Sequence, residues 1–97
     1  MTKPNRVTLY RGKNNYNQQG HYWSVDKEFA RNFTQSGLDK EIESIQVDNS
    51  TLLKLNPLPK ATDDGGMDNA IHIGLNNGYK GIWVDEGNNQ PNSVFIF

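Results

Sequence analysis

The apolar residues of this chain arrive in short runs separated by polar, asparagine-rich stretches, and that spacing dictates small elements. The runs are aromatic and β-branched, which argues against wholesale disorder. At 97 residues there is material for one domain and not two. A domain of that size buries only about two thirds of its unfolded surface. With hydrophobic residues at 34% and a mean hydropathy of -0.81, much of the chain must therefore be solvated loop.

Charge narrows the partners. The formal net charge is -1 and the isoelectric point about 6.0, so no global field draws the protein to nucleic acid or membrane. The 10 basic residues are scattered rather than lined up beside aromatics, so a nucleic-acid partner ranks below a protein one. The absence of cysteine removes disulfides, thiolate catalysis and the commonest zinc sites together. His21 and His72 stand far apart without metal-ligand spacing, and no metal is expected. No apolar signal region and no membrane-length segment can be read, so a cytoplasmic location is the expectation.

Residues 6–11 (RVTLYR) set Val7, Leu9 and Arg11 against Thr8 and Tyr10, the alternation of a strand. Residues 12–20 are polar and read as loop. His21 to Ser24 form a short aromatic strand, with Tyr22 turned to a pocket and Trp23 to the core. Asp26 then caps a helix in which Val25 staples onto Ala30, and Phe29, Ala30 and Phe33 share one side; Gly37 is its stop. Ile42 to Val47 is a further strand, with Ile45 and Val47 in phase and Ile42 out of it. Leu52, Leu53 and Leu55 make a short apolar segment that Pro57 and Pro59 terminate.

Residues 60–66 are the loosest stretch, and the Asp63-Asp64-Gly65-Gly66 run lacks the ligand alternation and closing Glu of a calcium loop. Met67, Ala70, Ile71, Gly74 and Leu75 fall at helical spacing, with Asp68 as cap and Asn77-Gly78 as stop. Residues 81–84 (GIWV) and 93–97 (SVFIF) are strands joined by a polar loop, the last of them able to lie at a sheet edge and pair with another chain. The expected fold class is α+β: a single domain over residues 1–97 with five to six strands and two short helices.

Three ordered stretches resemble the ADP-ribosyltransferase superfamily, its small bacterial and phage-borne members in particular. Leu9-Tyr10-Arg11-Gly12 is similar to the first-strand motif in which an aromatic precedes His or Arg and then Gly. Gly20-His21-Tyr22-Trp23-Ser24, followed by Phe29-Ala30 and Phe33, looks like the strand-then-helix element that walls the nicotinamide slot. Gly78-Tyr79-Lys80-Gly81-Ile82 and then Asn92 to Phe97 resemble the Gly-Tyr-Asp-Gly-Ile segment and the closing strand.

The resemblance implies a compact ADP-ribosyltransferase-like domain that uses NAD as substrate and modifies a macromolecular target, a protein first. Breaking the nicotinamide–ribose bond passes through an oxocarbenium-like centre, helped by rigid positioning and by a carboxylate. On this reading Arg11 engages phosphate or ribose oxygens, Gly12 permits close backbone approach, and Tyr22 stacks on the nicotinamide while Phe33 closes its other side. Tyr10 belongs to the same NAD-binding set, and Ser24 bonds the carboxamide or supports Arg11. The family's catalytic Glu falls on Ser93, so Glu86, with Asp85 and Gln90 beside it, is the candidate acid from the loop just upstream.

That departure also carries a rival expectation: a catalytically degenerate member that binds and inhibits a host defence protein stoichiometrically, as small phage-encoded (anti-CRISPR-like) inhibitors do. Ordinary structural roles compete at each position. Arg11 suits a surface ion pair, Phe33 the core, Ser24 a turn, Glu86 a solvated loop and His72 an exposed helix face, while His21 abuts the strand near any substrate.

Overall fold

The computed structural model describes residues 5–13 and 21–97, so most of the loop expected over 12–20 lies outside the described residues. The opening alternation becomes β1 (Arg6–Gly12), which pairs antiparallel with β3 (Ile42–Asp48) along its whole length, from Arg6↔Asp48 to Gly12↔Ile42. Ile42, out of phase by hydropathy, is thus kept in the strand by the backbone ladder. The short β2 (Tyr22–Ser24) meets β1 at a single register pair, Tyr10↔Ser24, and runs antiparallel to β6 (Ser93–Ile96). Next comes β5 (Gly81–Val84), antiparallel to β6, and the two-residue β4 (Leu52–Leu53) closes the far edge parallel to β5.

Among the described residues the sheet has six strands in the order β3-β1-β2-β6-β5-β4. This corrects the expectation that the last strand can sit at an edge: β6 has a neighbour on each side. The reason lies in its side chains, since Val94 on one face and Ser93 on the other are both buried, the mark of an inner strand.

Alternation along the strands creates two apolar clusters. Leu9, Leu52 and Val94 pack with Ile45, Val47, Trp23 and Trp83 on one face. Ile45 and Leu52 belong to the two opposite edge strands, so the sheet curls to bring them into one cluster. On the outer face, Ile82 and Val84 pack against Met67 and Ala70 of α2 (Asp64–Asn76). That helix starts earlier than the sequence suggests. Asp63, not Asp68, is the cap and accepts from the Gly66 N–H at 3.1 Å, so the glycine pair read as loose is the first helical turn. Leu75 falls outside the buried stripe, at 56% exposure.

The other helix, α1 (Lys27–Arg31), begins where Asp26 accepts from the N–H groups of Glu28 and Phe29 at 2.8 and 3.3 Å. It ends well before Gly37, because side chains take over its last carbonyls. The Thr34 hydroxyl donates to the Arg31 carbonyl at 2.7 Å and accepts from the Gly37 N–H at 2.8 Å. Arg31 donates in turn to the Gly37 carbonyl at 2.7 Å and pairs with Glu28 and Asp39, which pins the turn that carries Phe33. Among the described residues, no helix is long and apolar enough to cross a membrane.

Candidate functional site

Tyr10, Ser24, Ser93 and Val84 are successive register partners across β1, β2, β6 and β5, so they share one row on the outer face of the sheet. The first three line a cleft of about 190 Å³. It opens where β1 and β2 part: beyond their single pair, Arg11 and Gly12 line one side and Trp23 and Tyr22 the other. Phe29, Ala30 and Phe33, from α1 and the turn after it, form the remaining wall.

Gly12 sets that wall. A Cβ at this position would stand 2.3 Å from the Ala30 carbonyl oxygen and 2.8 Å from the Phe33 carbonyl carbon. Only glycine lets the helix backbone lie this close to the strand. The close approach is therefore by α1, and the cleft is shaped by it.

Arg11 is held from two sides. Its Nη2 donates to Glu43 Oε1 at 2.9 Å, and its guanidinium lies 5.4 Å from the Trp23 ring centre. Lys13 Nζ approaches the same carboxylate oxygen at 3.3 Å. Burial pushes the Glu43 carboxyl up, but the bonds from Arg11 and Lys13 outweigh it and hold the group below its ordinary range. Glu43 escaped the sequence reading, although opposite charges at facing positions of two antiparallel strands are the signal that would have found it.

Ser24 is buried, and its Oγ accepts from the Asp26 N–H at 3.0 Å, which leaves its own O–H as a donor. The turn role and a ligand role are thus compatible in one hydroxyl. Ser93, its register partner, is 2% exposed at the strand start where the resemblance implies a carboxylate. Tyr22 packs edge-on against Phe95 at 5.1 Å and remains 41% exposed at the cleft. Burial first, then the charges of Glu86 and Asp64, push its phenol above the ordinary 10.0.

Glu86 reaches the cleft from the turn that follows β5. Asp85 accepts from the Gly87 N–H at 2.8 Å, and Gly87, Asn88 and Asn89 follow with φ of 75°, 50° and 59°. Consecutive left-handed residues are tolerated by Gly and Asn, which accounts for the composition of this turn. Glu86 lines the cleft, while Asp85 and Gln90 do not.

All the candidate binding and catalytic residues read from the sequence therefore border one cleft. Trp23, assigned to the core, serves both: it packs in the inner cluster and lines the cleft. His21 stays outside, stacked 5.0 Å from Phe95 with Nδ1 2.8 Å from the Ile96 carbonyl oxygen, and His72 is exposed on α2. Among the described residues, no group of three His, Asp or Glu side chains is placed to hold a metal ion. No family model, no curated protein and no solved structure matches this chain.

Proposed function

We propose that the cleft holds the nicotinamide end of NAD and that the protein is a mono-ADP-ribosyltransferase acting on a protein target. The observation that carries this reading is the convergence of Arg11, Tyr22, Ser24, Phe33 and Glu86 on a single cleft from separate segments of the chain. Its size fits a fragment rather than a whole dinucleotide. At about 190 Å³ it is smaller than the roughly 300–1,000 Å³ typical of pockets that enclose drug-sized ligands. A pyridine ring and its carboxamide would enter, with the ribose and phosphates over the rim.

The roles follow from the chemistry of each group. Tyr22 and Phe33 bracket the ring, and the Ser24 hydroxyl donates to the carboxamide oxygen. Arg11, fixed by Glu43 and Trp23, is the donor for ribose or phosphate oxygens. As neutral nicotinamide leaves with the bonding electron pair, Glu86 steadies the positive charge left on the ribose. Ser93 favours a second reading, in which the cleft binds without catalysis and the protein acts by occupying a partner. A buried hydroxyl stands at the strand position that would otherwise present the acid.

Calorimetric titration with NAD, on wild type and Tyr22→Ala, separates these readings from failure of the site. We expect saturable binding that is lost in Tyr22→Ala. Nicotinamide release should then fall roughly a hundredfold in Glu86→Gln, the scale of losing one preorganised electrostatic partner. Binding without turnover would select the non-catalytic reading. No binding at millimolar NAD would sink the transferase reading and leave a protein partner as the ligand to seek.

A further inference from the structure

We propose that the cleft selects a positively charged heteroaromatic ring over its neutral isostere, with Glu86 as counter-charge and the rings of Tyr22 and Phe33 as cation-accepting surfaces. This deepens the nicotinamide reading and rests on it, naming the ligand class as N-alkylated pyridinium rings, whose charge lies in the ring itself.

The charge balance of the lining is what points there. Among the described residues that line the cleft, Arg11 is the one cation and Glu86 the one anion. The Arg11 charge is already met by Glu43 at 2.9 Å and by the Trp23 ring. By contrast, the ion pairs among the described residues do not include Glu86. Its field reaches the cleft wall, since together with Asp64 it adds to burial in holding the proton on the Tyr22 phenol. Phe33, also in the lining, is braced edge-on by Phe29 at 5.4 Å, so that wall presents a pair of rings. A neutral ring entering this space gains stacking and dispersion. A cationic ring gains these, the ring quadrupoles and the carboxylate as well.

The test uses two small probes of one shape. In 1-methylnicotinamide and 3-methylbenzamide the methyl and carboxamide groups have the same placement, and only the ring charge differs. Each is titrated calorimetrically into wild type and Glu86→Gln, with NAD titrated alongside. We expect wild type to bind the cation about tenfold more tightly than the benzamide, an effect on the scale of partly desolvated cation–π contacts plus one counter-charge. In Glu86→Gln the ratio should shrink to about threefold, with the benzamide affinity unchanged, since ring contacts alone remain.

Equal binding of the two probes to wild type overturns the proposal, and does so whether or not Glu86→Gln folds. A full preference kept in Glu86→Gln, or no ring binding beside normal NAD binding, overturns it too. In the first two cases NAD binding leaves the nicotinamide reading of the site standing; in the third NAD binds without its ring in the cleft. Loss of NAD and probe binding together defeats both.

Discussion

Glu43 faces Arg11 across the β1–β3 register and gives one oxygen, Oε1, to both Arg11 and Lys13, at 2.9 and 3.3 Å. Burial raises its pKa from 4.5 and the two cations lower it further than burial raises it, so the folded value lies below the ordinary one. A carboxylate lowered by folding contributes stability that is present above its unfolded pKa and lost as pH falls through the folded one. Glu43→Gln should therefore be less stable than wild type at neutral pH by about 1 kcal/mol, between the worth of an exposed pair and of a charged hydrogen bond. As pH drops below about 4.5 that difference should close, read as converging urea midpoints. Glu28, Asp39 and Asp48 are also held low, but they are shared by both proteins and cancel in the comparison. Curves that stay parallel through acid would show that Glu43 is not clamped. At this scale the sequence is informative about type and mute about partner: Arg11 stands out by its neighbours Tyr10 and Gly12, whereas its clamp comes from a strand far along the chain.

The two helices are seated by glycines of different kinds. At Gly12 an added Cβ meets backbone, 2.3 Å from the Ala30 oxygen, so α1 itself must move. At Gly74 it meets the Phe97 ring at 2.6 Å and an Ile82 methyl at 3.2 Å, side chains that can shift. Gly12→Ala should cost about 3 kcal/mol, the upper part of the overpacking range, and should lose NAD binding because the Phe33 wall moves with the helix. Gly74→Ala should cost only about 1 kcal/mol, since the gain in helix propensity offsets part of the clash, and should bind NAD normally. Urea unfolding and NAD titration of both variants check the ranking. Unaltered binding in Gly12→Ala would mean that α1 does not set the wall. Local signals carry these elements well where one side chain decides, as Asp26 does for the start of α1. They fail at the start of α2, where the sequence points to Asp68 as cap but the carboxylate that reaches Gly66 N–H is that of Asp63.

Sheet order and curl are the parts that no local pattern displays. Leu52 meets Gly81 and Leu9 meets Ile45 through registers that join residues far apart in sequence. The same holds for the cleft, whose members can be named along the chain but are brought together only by the order of the sheet. The result is one sheet with an apolar cluster on each face, the inner one spanning both edges and the outer one roofed by α2. Because every strand contributes backbone pairing to the same sheet, the two clusters should melt together, yet their side chains do not share a cluster. Ile82→Val on the outer face and Ile45→Val on the inner should each cost about 1 kcal/mol, within a total stability of about 5–15 kcal/mol for a domain of this size. The double variant should lose the sum to within about 0.5 kcal/mol, in a single urea transition of unchanged steepness. A shallower or two-step transition would mean that the roofed half and the curled half unfold separately. A loss well beyond the sum would mean that packing strain passes through the sheet from one face to the other, and that a change in the outer cluster is felt at Trp23 and the cleft.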